Sequence, residues 1–196
     1  MTTSPTPPRR RDAARTRQLL LDVARRRFAT AGYAETTVRH IADEAGVNVA
    51  LISRYFVNKE GLFEAALKAG FAELRATAGD VTPGEVPETI AHQVIGQSTG
   101  AGPSNSLLLI LRSSGDERAD QIRLRFLHLF AEKLAKAALL QGGDPDILRA
   151  QILLSTAIGL TLMRAAHLEP LASASAEDLI APIREIVEVL IKKNHS

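Results

Sequence analysis

The sequence predicts an all-α fold of about nine helices: an N-terminal three-helix domain with a helix-turn-helix, followed by a C-terminal helical domain. Three observations lead to this fold class. Apolar residues recur at helical spacing, and no alternating strand pattern is present. The chain has no Trp, two Tyr and six Phe, so its core must consist mainly of Leu, Ile, Val and Ala, which favours helices. Gly, Pro and capping residues divide the 196 residues into helix-length segments.

The N-terminus begins with a predicted disordered basic tail, residues 1–11. Thr, Ser and Pro leave almost nothing to bury before the three arginines Arg9–Arg11. A first helix is expected from about Asp12 to Ala31, because apolar residues then fall at helical spacing and Gly32 favours a left-handed stop.

Three helices are predicted next, each with its own capping residue. Thr37 can cap the second helix, and Gly46 can supply the tight turn after it. Asn48 can cap the third helix and Asn58 the fourth. Two short helices joined by a Gly turn form a helix-turn-helix, although an ordinary helical hairpin has the same spacing. The residues expected to be buried are Val38, Ile41, Ala42, Val47, Ile52, Phe56, Leu62, Phe63, Ala66 and Leu67.

The middle of the chain is predicted to contain two loops, 79–87 and 98–106, with one helix between them. A short apolar helix should follow at Leu107–Leu111. Asp116 can then cap a long amphipathic helix that reaches about Leu140.

Two further helices are expected at the C-terminal end. Asp144 and Pro145 are predicted to begin a helix that reaches about His167. Ser175 and Asp178 resemble a capping box before a final helix to about Lys193. A kink is predicted in that helix, because it contains Pro182.

Composition excludes several classes of protein and site. The chain has no cysteine, which excludes disulfides, thiolate metal sites and cysteine nucleophiles. No apolar run is seen that approaches the ~20 residues needed to span a bilayer, and the N-terminus does not read as a signal peptide. We expect a soluble cytoplasmic protein with no membrane partner, no cofactor and no metal.

The charges of the chain are distributed unevenly. Residues 1–68 contain 12 Lys and Arg against 7 Asp and Glu, whereas the remainder contains 12 against 15. A basic N-terminal region is typical of a domain that binds a polyanion such as DNA, although a chance distribution of charged residues could give the same count.

Two segments resemble the TetR family of transcriptional regulators. Gly32–Val47 (GYAETTVRHIADEAGV) is similar to the family's DNA-binding signature nearly position for position. Arg54–Phe63 (RYFVNKEGLF) is similar to its passage from the recognition helix into the fourth helix. The resemblance covers about Leu20–Leu67, a third of the chain. It implies a sequence-specific DNA-binding regulator, more often a repressor, that a small-molecule effector releases from its operator.

The resemblance also implies a division of the chain and a set of DNA contacts. The DNA-binding domain would span 12–58, a connecting helix 59–78, and an effector-binding and dimerisation domain 79–196. Thr37, Tyr55 and Lys59 match the family's contacts to the DNA backbone, and Arg39 could reach a phosphate or guanine, or stay solvated. The residues expected to face DNA are Thr37, Arg39, Asn48, Val49, Ala50, Ser53, Arg54, Tyr55 and Lys59.

The third helix departs from the family where it would enter the major groove. Ser53 stands where the family very often has Tyr, and Val49 and Ala50 are apolar where polar side chains are common. We expect thymine-methyl contacts from Val49 and Ala50, with Arg54 as the hydrogen-bonding reader. The arginines before and within the first helix either touch DNA or only solubilise a tail; they are Arg9, Arg10, Arg11, Arg15 and Arg17.

The last two helices are predicted to form a four-helix dimer interface with a second copy. Segment 147–163 is apolar almost all round, and small residues such as Ala157 allow close approach. A core within one chain is the alternative, whereas the resemblance implies a homodimer on a near-palindromic DNA site. The expected interface residues are Leu153, Ala157, Leu160, Ile183, Val187 and Leu190.

The resemblance further implies an effector pocket within the middle helices. No pocket residue carries over from the family, so candidates come from polar or soft side chains on apolar helices; for each one alone, a structural or surface role is the more frequent alternative. An apolar lining would suit a hydrophobic effector. The candidates are His92, Gln93, Gln97, Arg112, His128, Met163 and His167.

Catalysis and a vestigial helix-turn-helix are the two rival interpretations. The five histidines are far apart in sequence, and no HExxH, phosphate-binding Gly loop or GxSxG motif occurs. We therefore predict no enzyme and no catalytic residue. The departure at Ser53 leaves open a helical ligand-binding module that no longer reads DNA.

Overall fold

The structure is a computed structural model of the 196-residue chain. It describes residues 8–76, 83–97, 104–112, 115–139 and 146–191. Within these ranges the chain forms helices and no strand. The helices are α1 (Pro8–Thr30), α2 (Val38–Ala45), α3 (Ala50–Phe56), α4 (Lys59–Ala76), a 3-10 helix (Pro83–Glu85), α5 (Val86–Gln97), α6 (Asn105–Leu111), α7 (Glu117–Leu139), α8 (Ile147–Ala165) and α9 (Ala176–Ile191). The predicted fold class is confirmed.

Several helix boundaries are fixed by the predicted capping residues. The Thr37 hydroxyl accepts the His40 N–H at 3.1 Å before α2. Asp116 Oδ1 accepts the Ala119 N–H at 2.9 Å before α7. Ser175 and Asp178 form the expected reciprocal pair before α9. Each cap satisfies a backbone N–H that the first turn of a helix leaves without a carbonyl partner.

Other boundaries differ from the sequence prediction. α1 begins at Pro8, so the last four residues of the predicted tail are helical; Pro suits a first turn and Arg is a good helix former. α5 begins at Val86, inside the predicted loop 79–87. α6 begins at Asn105, because Ser104 provides its cap.

The beginning of α8 also requires a correction. Asp146, rather than Asp144, is the capping residue, and its carboxylate accepts the Arg149 N–H at 3.1 Å. Asp144 and Pro145 lie outside the described residues. Both aspartates can cap a helix, and the sequence offers no local signal that favours the later one. Pro182 stands within α9 as predicted, and its effect on the helix axis stays a prediction.

Buried apolar side chains form two cores. The first core joins α1–α4 to α6 and the beginning of α7, and it includes Phe28, Ile41 and Ile52. The second core joins α5 to α8 and α9, and it includes Val94 and Leu153. Because the first core contains Leu109, Ile110 and Ala119 from α6 and α7, it extends well beyond the helix-turn-helix itself.

α8 is a long helix with few charged residues. By length and composition it could cross a membrane, with a mean hydropathy of 1.3 over its most apolar stretch. The sequence prediction that no apolar stretch approaches that length is therefore wrong. Only 17% of this stretch is buried within the protomer, so an apolar face of α8 remains uncovered.

Candidate functional site

α2 and α3 form a helix-turn-helix on the surface of the first core. Gly46 adopts the left-handed conformation with φ 65°, which ends α2 and turns the chain toward α3. The Thr37 hydroxyl serves as the α2 cap and so has a structural role that sequence reasoning also assigned. A hydroxyl that accepts one hydrogen bond still keeps its own hydrogen for another partner, such as a phosphate.

The outward face of α3 carries the residues predicted to read bases. Ile52 and Phe56 turn into the first core, so the opposite side of this short helix faces solvent. Asn48 Oδ1 accepts the Ala50 N–H at 2.8 Å and thereby fixes the beginning of α3. The exposed side chains brought together here are those of Asn48, Val49, Ala50, Ser53 and Arg54.

The connection from α3 to α4 is tightly constrained. Asn58 Oδ1 accepts the Gly61 N–H at 2.8 Å, as the predicted cap requires. A Cβ at Gly61 would lie only 2.1 Å from the carbonyl oxygen of Phe56, so this position accepts glycine alone. Val57 takes a positive φ of 72°, which is strained for a β-branched residue. Gly61 was not among the residues predicted to matter, although it lies within the segment Arg54–Phe63 that resembles the family.

Lys59 lies on the side of this turn that faces the rest of the protein. Its ammonium lies 4.0 Å from the centroid of the Tyr33 ring, a cation–π contact. Burial lowers the pKa of Lys59, while Asp116 and Glu35 act in the opposite direction. Burial likewise raises the pKa of Tyr33 to about 12. Lys59 therefore has a packing partner within the protomer that the sequence did not indicate.

Two further basic side chains lie on α1 and α2, the helices that precede α3. The guanidinium of Arg17 stacks 4.9 Å from the Phe56 ring centroid, which places part of α1 beside the end of α3. Arg39 is exposed on α2. The side chains of Arg9–Arg11 lie outside the described residues, whereas Arg15 and Arg17 are exposed. Arg17 therefore packs against the core-facing side of α3, and Arg39 adds an exposed cation on α2.

A polar network joins α1 to α4 and α6. Arg25 donates to Ser106 Oγ at 2.8 Å and pairs with the Glu73 carboxylate. Ser106 Oγ in turn donates to Glu73 at 2.7 Å. The hydrogen bond from Arg25 is the largest influence holding the pKa of Glu73 below its usual value. This network links the helix-turn-helix region to the helices behind it.

Arg112 forms a second link between these regions. Its guanidinium donates to the carbonyl oxygens of Ala29 and Thr30 at the end of α1. A cation is favourable at a helix C-terminus, where carbonyl groups lack intrahelical partners. The sequence proposed Arg112 as an effector ligand, but the structure gives it this interhelical role.

The other effector candidates are not brought together. Gln93 lines a cavity of about 50 Å³ between α5, α6, α7 and α8, together with Leu107 and Thr161. His92 is exposed on α5 and His128 is exposed on α7. Met163 and His167 are exposed at the end of α8, and the side chain of Gln97 lies outside the described part of the chain. Chemical character alone could not show which helix faces point inward.

The predicted dimer residues lie in the second core of one protomer. Leu153, Ile183 and Val187 are each 3% exposed and pack with residues of α5. Ala157, Leu160 and Leu190 pack against the same core. Leu153, Ile183 and Val187 therefore belong to a core within one chain, because apolar periodicity shows that a helix face is covered but does not show which element covers it.

A different apolar face of α8 and α9 is exposed. On α8, Leu148, Ile152 and Met163 are 66%, 44% and 46% exposed. They share one stripe with Ser155 and Gly159, at spacings of three and four residues. On α9, Ile186 and Val189 are exposed at 38% and 73%. An uncovered apolar surface of this extent is typical of a protein interface.

Comparison with known proteins matches both halves of the chain to family models. Residues 20–66 match the model of bacterial regulatory proteins of the tetR family. Residues 84–191 match the model of the tetracyclin repressor-like C-terminal domain. The two matches together include the helix-turn-helix, α5 to α9 and most residues of the two apolar cores.

Individual relatives agree with these models. An uncharacterized HTH-type transcriptional regulator of Bacillus subtilis (strain 168), YvkB, is 35% identical over 77 residues, which span 39% of this chain and 40% of that relative. A TetR-family regulator from Streptomyces coelicolor A3 is 25% identical, with a TM-score of 0.57 over 97% of this chain and all 100% of its own. The SmeT–triclosan complex is 21% identical, with a TM-score of 0.63 over 91% of this chain and 93% of its own.

Proposed function

Because the chain belongs to the TetR family of DNA-binding transcriptional regulators, we propose that it is a homodimeric repressor that a small-molecule effector releases from its operator. One observation carries the proposal most directly. α3 buries Ile52 and Phe56 and leaves Val49, Ser53 and Arg54 together on an exposed face. A helix held in this way can enter a major groove, whose width accepts one helix.

Base reading is proposed to rest on an unusually apolar helix face. Val49 and Ala50 can contact thymine methyl groups, and Arg54 can donate to a guanine edge. Thr37, Arg39 and Tyr55 would hold the DNA backbone, with Lys59 as a further cation at the edge of the interface. Lys59 is half-buried and lies 4.0 Å from the Tyr33 ring, whereas Arg54 is exposed and lies 5.9 Å from the Tyr55 ring. The contribution of Lys59 to DNA affinity should therefore be smaller than that of Arg54.

The homodimer is proposed to form through the exposed stripes of α8 and α9. Leu148, Ile152 and Met163 would meet the same residues of a second copy across a two-fold axis. Ser155 and Gly159 in the same stripe allow the two α8 helices to approach closely. Such a dimer presents two α3 helices to successive major grooves, about 34 Å apart, on a near-palindromic operator.

Effector release is proposed as a linkage between ligand binding and DNA binding. The cavity lined by Gln93, Leu107 and Thr161 has a mainly apolar lining, and one structural neighbour is a complex of SmeT with triclosan. Its volume of about 50 Å³ means that a ligand must bind a more open form. If the closed form is the one that binds DNA, a ligand that prefers the open form lowers the affinity for DNA. The decrease is limited by the ratio of the ligand's affinities for the open and closed forms. The proposed place of action is the cytoplasm.

A gel-shift titration with the intergenic DNA upstream of the chain's own gene tests the repressor assignment. We expect specific binding that persists against competitor DNA, with a log–log salt dependence from phosphate contacts. Arg54→Ala should weaken it by about 10-fold or more, since a bidentate base contact is worth ~1–3 kcal/mol. Arg125→Ala, which removes an exposed arginine on α7, is the matched control. Equal weakening by both variants, or purely salt-driven binding, would contradict base reading.

A further inference from the structure

A second ligand site is indicated by a groove along the contact of α4 with α7. The groove has a volume of about 380 Å³. Its lining residues include Lys68, Phe71, Phe126, Leu129, Phe130 and Lys133. It shares only Phe130 with the lining of the cavity among α5 to α8, and no DNA-facing residue contributes to it.

The floor of the groove is a cluster of aromatic rings. Phe71 stacks on Phe126 with ring centroids 5.6 Å apart and contacts Phe130 at 5.5 Å. Leu129, beside them, keeps 45% of its surface exposed. A flat apolar body could cover this surface and remove it from water, which is favourable in proportion to the apolar area buried.

Two cationic side chains border the aromatic floor. Lys68 on α4 and Lys133 on α7 are both exposed, and across the described ranges neither ammonium lies within ion-pair distance of a carboxylate. Glu64, the acidic residue of the lining, is paired with Arg125 at 3.8 Å. The charge left available to a ligand at this groove is therefore positive.

Size distinguishes the groove from the inner cavity. Pockets for organic ligands usually measure ~300–1,000 Å³, a range that includes the groove at about 380 Å³ and excludes the cavity at about 50 Å³. The groove can therefore accept a ligand without any movement of the helices.

We propose that the α4–α7 groove binds an amphipathic organic anion, specifically a flat aromatic carboxylate. Its rings lie on Phe71, Phe126 and Phe130, and its carboxylate lies between Lys68 and Lys133. The assignment goes beyond the repressor function and is tested without DNA, so its failure is distinguishable from a failure of operator binding.

Fluorescence anisotropy of 2-naphthoate tests the site directly. The chain has no Trp and two Tyr, so the probe is observed with little protein background. We expect saturable binding, and at least about 10-fold weaker binding of the uncharged 2-naphthamide, because a charge-assisted contact is lost.

The two lysines are tested one at a time. Lys68→Gln and Lys133→Gln should each lower the affinity for 2-naphthoate about threefold to fivefold, as expected for the loss of a partly exposed charge pair.

Three further variants complete the test of the proposal. Lys136→Gln removes an exposed lysine of α7 outside the groove and should leave binding unchanged. Leu129→Glu adds a negative charge on the floor and should abolish binding of 2-naphthoate, with the helical circular dichroism retained. Ala157→Leu fills the inner cavity and should have no effect.

Three results would overturn the site. They are absence of saturable 2-naphthoate binding, equal binding of 2-naphthamide, and loss of binding in Ala157→Leu while both lysine variants bind like the wild type. The last result would place the probe in the inner cavity instead.

Discussion

The two hydrophobic cores differ in how completely one protomer covers the helices that form them. In the first core, Phe28, Ile41 and Leu62 are at most 2% exposed, and the uncovered side of the helix-turn-helix is mostly polar. In the second, α8 and α9 bury Leu153 but leave Ile152 44% exposed on the other side of the same helix. The helix-turn-helix is therefore packed within one chain, whereas the outer face of α8 and α9 stays uncovered and is the proposed dimer interface.

The largest expected effect comes from placing a charge on that outer face. Ile152→Glu would bury two unpaired carboxylates across a two-fold interface, at roughly 3–5 kcal/mol each. We expect a monomer in analytical ultracentrifugation, and operator affinity lower by about 100-fold or more because bivalent binding is lost. Leu124→Glu makes the same change at an exposed leucine of α7 and should stay dimeric. A dimeric Ile152→Glu protein would refute the interface.

The adjacent residue should behave in the opposite way. Leu153 is 3% exposed within the second core. Leu153→Ala should therefore lower the free energy of unfolding by about 2–5 kcal/mol while the protein remains dimeric. Urea unfolding at a fixed protomer concentration, with sedimentation of the native protein, measures both quantities. Loss of the dimer at unchanged stability would mean that Leu153 belongs to the interface after all.

The same contrast explains what the sequence could predict. Capping and turn residues such as Thr37, Gly46 and Asn58 act on their own neighbours, so local sequence places them well. The partner of an apolar face is a tertiary property, which is why Leu153 and Ile183 were assigned to the wrong side. The carbonyl partners of Arg112 are some eighty residues away in sequence, and no local pattern indicates contacts of that kind.

The link between α6 and α1 should have an intermediate effect. Arg112→Gln removes the cation that binds the Ala29 and Thr30 carbonyls. Since the side chain is exposed, we expect a loss of about 1 kcal/mol in unfolding free energy, near the ordinary value for one hydrogen bond. Arg39→Gln, at an exposed arginine of α2, should change stability by less than ~0.5 kcal/mol. Equal stability of the two variants, measured by urea unfolding, would refute the link.

The smallest effect concerns the acid response of the first core. Arg25 holds the pKa of Glu73 below 4.5, so the carboxylate stabilises the fold above that pH and loses this contribution as pH falls through its lowered pKa. Glu73 is 53% exposed, which limits the contribution to below about 1 kcal/mol. The Tm of Glu73→Gln should therefore lie below the wild-type Tm at pH 7 and approach it below pH 4.5. A constant Tm difference at every pH would contradict this role.

Selection of binding sites from randomised duplex DNA tests whether the chain reads DNA as a dimer. The chain should enrich an inverted repeat whose half-sites lie about one helical turn, ~34 Å, apart. Ile152→Glu, which keeps the complete DNA-reading region, should enrich only a single half-site, and weakly. Enrichment of no sequence, or of a single unrepeated site by the wild-type chain, would contradict a dimeric regulator that reads DNA with two copies of α3.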